Sequence, residues 1–161
     1  LLVAPISRVS ILLGKVLSEM SFTLGITLLA TFFFLHYIGA FSFSTIAKAA
    51  LIMILIAFGF YGFGLIMGLI SKKAKSYQLF SGLIITAIIF LSGVFFPAQN
   101  LPAWMKAAFV VNPLTYGVDA LRQVMTGYSE FGLFYDLIVL TVFGLVMVTA
   151  GTYLFSKTST Q

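Results

Sequence analysis

Four apolar stretches, residues 17–38, 47–70, 78–96 and 134–155, set the limits on what this chain can become. Each is close to the roughly 20 residues that a helix needs to cross the hydrocarbon core of a bilayer. None shows the strict apolar/polar alternation of a membrane β-strand, so the runs read as helices. Charged residues make up 8% of the chain and hydrophobic ones 61%, with a mean hydropathy of +1.13. An ordinary soluble domain carries about 25% charged residues, and this chain lacks the polar groups to cover such a surface. The expected fold class is therefore all-α integral membrane, with four transmembrane helices.

Composition also removes several kinds of chemistry. There is no cysteine, and the single histidine, His36, cannot by itself build a zinc site or a catalytic triad. The net charge of +5 does not point to nucleic acid, because the spans divide the positive residues between two sides. Placing the N-terminus in the cytoplasm puts Arg8, Lys15, Lys72, Lys73, Lys75 and Lys157 inside, against Lys48, Lys106 and Arg122 outside. That distribution obeys the positive-inside rule and returns the C-terminus to the cytoplasm. The "SKKAKS" loop reads as a topology signal or a contact for anionic lipid.

Charge within the spans is sparse. Glu19, His36, Lys48 and Asp136 all fall near predicted span ends, where side chains can snorkel to the interface. A proton- or sodium-coupled carrier usually keeps a charged group near the midplane, and this chain has none there. Nor does it contain the G-x-x-x-x-G-K-[ST] pattern whose backbone amides cradle nucleotide phosphates. If the chain moves a substrate, the energy comes from elsewhere.

Two patterns within the spans suggest packing or a pathway. Gly64 and Gly68 form G-x-x-x-G and, with Gly59 and Gly62, allow close helix approach within the bundle or between subunits. Glu19, Thr23, Thr27 and Thr31 recur every four residues along one side of the first span. Their hydroxyls can bond back to the preceding turn or to another helix. Alternatively, Thr23, Thr27 and Thr31 line a transport pathway.

The segment 97–133 separates the last two spans and carries helix punctuation. Asn112 is a good N-cap, Pro113 suits the first helical position, and Gly127 is placed to end the helix. Leu114, Val118, Leu121 and Met125 form its expected apolar stripe. A shorter helix precedes it, with Pro102 near its start and Trp104, Ala108 and Val111 on one side. Trp104 and Tyr116 are expected to anchor this outer pair at the membrane–water boundary. Asp119 and Arg122, three apart, read either as a surface ion pair or as a latch or substrate contact at an outer vestibule.

The stretch "FLSGVFFPAQNLPAWMKAAFVVNPLTYGVDALR", residues 90–122, resembles the signature region of ABC-2 type transporter permeases. These are the membrane subunits of ATP-driven exporters in prokaryotes. "LLVAPISRVSILLGKVL", residues 1–17, is similar to the cytoplasmic loop before their third span. The resemblance implies a multi-pass protein of the prokaryotic cell membrane, spans three to six of a six-span permease. Residues 1–16 would be the coupling segment, and 97–133 an outer helix pair before the last span. It further implies pairing with a second permease copy and docking of an ABC ATPase through Pro5, Ile6, Ser7 and Arg8. Arg8 has a second reading, as one of the residues that set topology.

The chain itself would bind no cofactor, ATP and magnesium belonging to the partner ATPase, and would have no catalytic site. The implied function is efflux, of the multidrug-export kind or of a lipid or glycan. Because the chain opens on "LLVAPISR" without an initiator Met, it reads as an N-terminally truncated portion of a longer protein. The alternative from another class is a non-transporting structural or regulatory membrane subunit, in which the three threonines only pack against neighbouring helices.

Overall fold

The computed structural model describes residues 8–37, 42–70, 74–96 and 101–158. These form α1 (Arg8–Tyr37), α2 (Phe43–Ile70), α3 (Ala74–Phe90), α4 (Ala103–Val111), α5 (Pro113–Thr126) and α6 (Leu133–Thr158), with no strand among the described residues. Pro5, Ile6 and Ser7 lie outside the described residues, and Arg8 opens α1.

Among the described residues, two segments are long and apolar enough to cross a bilayer: α2, and Leu133–Phe155 of α6. The apolar parts of α1 and α3, Ser21–Tyr37 and Tyr77–Phe90, are shorter. The third expected span is the one that differs most from its sequence reading. Its apolar run continues to Phe96, but the helix stops at Phe90. Ser92 bonds back to the Ile89 carbonyl through both its amide, at 3.2 Å, and its hydroxyl, at 2.7 Å. Gly93 then takes φ +78, a left-handed conformation that ends a helix and that residues with a Cβ rarely adopt. Residues 91–96 are therefore a greasy turn, which hydropathy alone cannot distinguish from helix.

The central contact is between α2 and α6, with α5 packed against both. A β-carbon built on Gly62 would lie 2.6 Å from the backbone of Met147 and Val148, so the two helices meet here backbone to backbone. Gly59 faces the Phe143 ring in the same way, and Gly144 of α6 faces Phe58. Small residues make such contacts favourable in a membrane, where association relies on van der Waals packing. Gly64 and Gly68 take no part, since none of the described residues comes within 4 Å of their built β-carbons. Of the four glycines read as one packing set, the upper two make the seam and the G-x-x-x-G pair faces open space.

Where α2, α5 and α6 converge, Ile52, Tyr116, Ala120 and Leu140 form the buried core. On α1, which packs against α2, the buried positions are Thr31 and Leu35. The other two threonines of the stripe are less enclosed: Thr27 is half-buried with its hydroxyl bonded to the Thr23 carbonyl, and Thr23 is exposed.

Candidate functional site

The most specific polar architecture surrounds α5, and it is built from the residues of the "VVNPLTYGVDALR" stretch. At its start, Asn112 Oδ1 accepts from the Leu114 amide at 3.0 Å, with Pro113 at the first helical position. The same side chain also donates Nδ2 to the Ile88 carbonyl at 2.7 Å. That carbonyl belongs to the last turn of α3, where no helical donor remains. One amide thus caps the beginning of α5 and closes the end of α3.

The following residues do the same for α4. The Asn112 amide donates to the Ala108 carbonyl, the Thr115 hydroxyl to Phe109 at 2.7 Å, and the Tyr116 hydroxyl to Val110 at 2.6 Å. Three consecutive carbonyls at the C-terminal end of α4 are satisfied by the N-cap and the first residues of α5. Around this junction, Tyr116 packs on Phe131 at 5.2 Å and on Tyr135 at 5.8 Å, and Phe109 stacks on Phe131 at 6.0 Å. Burial first, and then the neighbouring Tyr135 and Asp136, push the Tyr116 phenol above its ordinary range.

At the other end, Gly127 closes α5 with φ 78. Asp119 reaches forward from the middle of the helix to the loop before α6. Its carboxylate accepts from the Glu130 amide at 3.0 Å, the Phe131 amide at 3.0 Å and the Ser129 hydroxyl at 2.9 Å. Ser129 Oγ in turn accepts from the Gly132 amide at 2.7 Å. Every amide from 130 to 132 is thereby bound, and the entry to α6 is fixed. Arg122 turns the other way and donates Nη2 to the Gly93 carbonyl at 3.0 Å, in the turn that follows α3.

Several sequence expectations are corrected here. Asp119 and Arg122 do not form an ion pair: the first is 2% exposed and saturated by loop donors, and the second is committed to a backbone carbonyl. Tyr116 is not at a water boundary but 4% exposed in the core, because its hydroxyl has found a carbonyl partner; Trp104, at 69%, is exposed. The stripe of Leu114, Val118, Leu121 and Met125 is only half-buried, whereas the buried positions of α5 are Thr115, Tyr116, Gly117, Asp119 and Ala120. On α4 the buried residue is Phe109, while Val111 is exposed. On both helices the most buried residues are not the ones that their apolar spacing marked, although Leu121 packs against the core.

Asp136 is the other departure. It is fully buried in the first turn of α6 and does not snorkel. Among the described residues neither carboxylate oxygen has a hydrogen-bond partner, and Gln123 Oε1 is likewise unpartnered. The positive end of the α6 macrodipole offers it some compensation, but two buried acceptors without a protein partner destabilise a fold by about 1–3 kcal/mol. Replacing Asp136 by Val is therefore expected to raise the melting temperature of the complete protein in detergent, by the equivalent of about 1 kcal/mol. A lowered melting temperature would mean that the carboxyl group is held by contacts beyond the described residues.

No group of three or more His, Cys, Asp or Glu side chains is placed to hold a metal ion among the described residues. Apolar helices joined through a braced, polar-cored helix pair define a helical membrane domain. The sequence model of the family described as "ABC-2 type transporter" matches residues 1–126, and the chain belongs to that family.

Curated relatives agree. The chain is 27% identical over 148 residues to the inner membrane transport permease YadH of Escherichia coli K12, covering 92% of this chain and 55% of that protein. It is 26% identical over 86 residues to the daunorubicin resistance ABC transporter permease protein DrrB1 of Streptomyces coeruleorubidus, covering 53% and 30% respectively. Nodulation protein J of Rhizobium leguminosarum bv. trifolii is 29% identical over 77 residues, covering 48% and 29%. The matched regions span at most about half the length of these relatives, 55% in the longest case. No solved structure matches the chain. It is thus a helical membrane domain of that family.

Proposed function

We propose that this domain forms the third to sixth spans of an exporter permease driven by a separate ABC ATPase. In this reading α1, α2, α3 and α6 cross the membrane, the α4–α5 pair lies at the outer mouth, and the C-terminus is cytoplasmic. The segment around Pro5, Ile6, Ser7 and Arg8 meets the ATPase. Two permease copies enclose the path, and ATP binding drives alternating access. An amphipathic drug, a lipid or a glycan is the substrate class.

The reading is carried by the family match over residues 1–126. It is supported by the bracing of α5. The Ile88 carbonyl in the last turn of α3, the Gly93 carbonyl in the turn after it, the C-terminal end of α4 and the loop before α6 are all tied to one short helix and its cap. Such a brace would let the ends of two spans move together as a unit. Thr23 and Thr27, on a part of α1 that is exposed or half-buried in this chain, face the pathway.

The test is export itself. In inverted vesicles containing the complete permease and its ATPase, ATP should drive uptake of a rhodamine-type amphipathic dye or a short-chain fluorescent phospholipid. Thr27→Leu should reduce that uptake several-fold while leaving ATP hydrolysis in place. Unchanged transport in the variant would remove the threonine stripe from the pathway.

A further inference from the structure

Arg122 poses a question that its contact with Gly93 does not answer. A guanidinium has five N–H donors, and this one, half-buried, spends one of them on the Gly93 carbonyl at 3.0 Å. It forms no ion pair with any described residue, and Asp119, one turn away, is already filled by loop donors. Arg122 itself lines a cleft of about 410 Å³. One wall of the cleft is the Gly93–Phe96 turn, and the other is Arg122, Tyr128 and Glu130.

The walls differ in chemistry. Val94, Phe95 and Phe96 are 49%, 57% and 49% exposed, an apolar wall beside a fixed cation. Glu130, whose Oε1 accepts from the Tyr128 hydroxyl at 2.8 Å, brings a carboxylate to the same cleft. The Phe95 ring packs on Phe90 at 5.1 Å, and Phe90 is itself half exposed on α3. The apolar wall therefore runs without a break onto the open side of a hydrophobic helix.

We infer that this cleft binds the headgroup of a zwitterionic phospholipid, its phosphate on Arg122, its ammonium toward Glu130 and its upper acyl chain along Phe95 and Phe96. Arginine donors match phosphate oxygens in geometry and charge. A free phosphate would leave the apolar wall unused, and a neutral amphiphile would leave Arg122 unused. Continuity with α3 favours a lipid entering sideways from the bilayer. The inference rests on the proposed placement of the α4–α5 pair at the membrane boundary.

The complete permease–ATPase complex, purified in detergent, should be titrated with dioleoyl phosphatidylethanolamine, phosphatidylglycerol or diacylglycerol, with retained lipid read by native mass spectrometry. Phosphatidylethanolamine is expected to be retained best and diacylglycerol at least ten-fold less. Arg122→Gln should lower phosphatidylethanolamine occupancy about ten-fold, and Glu130→Gln should equalise phosphatidylethanolamine and phosphatidylglycerol. Diacylglycerol binding as well as phosphatidylethanolamine would overturn the proposal in the wild-type protein alone, even if Arg122→Gln fails to fold. A complex that exports dye yet retains no lipid sinks this inference only. A complex that retains the lipid but exports nothing counts against the transport reading and leaves the lipid site standing.

Discussion

Asp119→Ala is expected to cost the complete permease about 3–5 kcal/mol of stability, enough to abolish most folded protein at growth temperature. The carboxylate receives the Glu130 and Phe131 amides and the Ser129 hydroxyl from a position 2% exposed. Bonds to a charged acceptor contribute about 1.5–3 kcal/mol each, and removing the acceptor leaves partly buried amides without a partner. The loss falls where α6 begins, so the error spreads to the α5–α6 packing. Asp119→Asn keeps one oxygen and should lose about half as much. Thermal unfolding in detergent, followed by circular dichroism, reads both. A melting temperature equal to wild type for the alanine variant would show that Asp119 is not what holds the loop.

Gly62→Val is expected to be comparably damaging, for a steric reason. The added carbon would sit 2.6 Å from the Met147 carbonyl carbon and the Val148 nitrogen, atoms that cannot rotate away. The α2–α6 seam would have to open, and overpacking of this kind costs about 1–3 kcal/mol or more. Gly64→Val and Gly68→Val provide the control within the same helix. Both positions are open, so either change should leave the stability of this domain within about 0.5 kcal/mol of wild type. If the Gly64 or Gly68 variant unfolds as readily as Gly62→Val, a contact outside the described residues uses that face.

The parts of this architecture that could be read in the sequence are those fixed by neighbours along the chain. Asn112, Pro113 and Gly127 mark the ends of α5 because a cap depends on residues two to four positions away. The inward face of α5 could not be read in the same way. Its buried positions include Thr115, Tyr116 and Asp119, polar residues whose partners lie six to twelve positions away. Asn112 reaches still further, to Ile88. An apolar-stripe argument assigns such residues to the surface, and here the stripe and the buried side do not coincide. The signal available was the run of hydrogen-bonding residues after "VVNP", placed to meet the last carbonyls of the preceding helix.

The other misreadings share a cause. Glycine spacing announces close packing but not which pair of glycines carries it, since that depends on where α6 crosses. The end of α3 was hidden because the turn residues Val94, Phe95 and Phe96 are as apolar as the helix before them. Asp136 was expected to reach water from a span end, but α5 packs against α6 and covers it.

The central claim is that a partner ATPase drives this domain, and it is tested most directly by ATP hydrolysis in liposomes carrying that ATPase with and without the complete permease. The expected result is that the permease recruits the ATPase and raises its hydrolysis rate several-fold. Arg8→Glu should abolish that rise, because a reversed charge at the start of α1 opposes an acidic docking surface, while leaving the permease folded. A folded, membrane-inserted permease that neither binds the ATPase nor alters its rate would contradict the claim and favour a structural subunit.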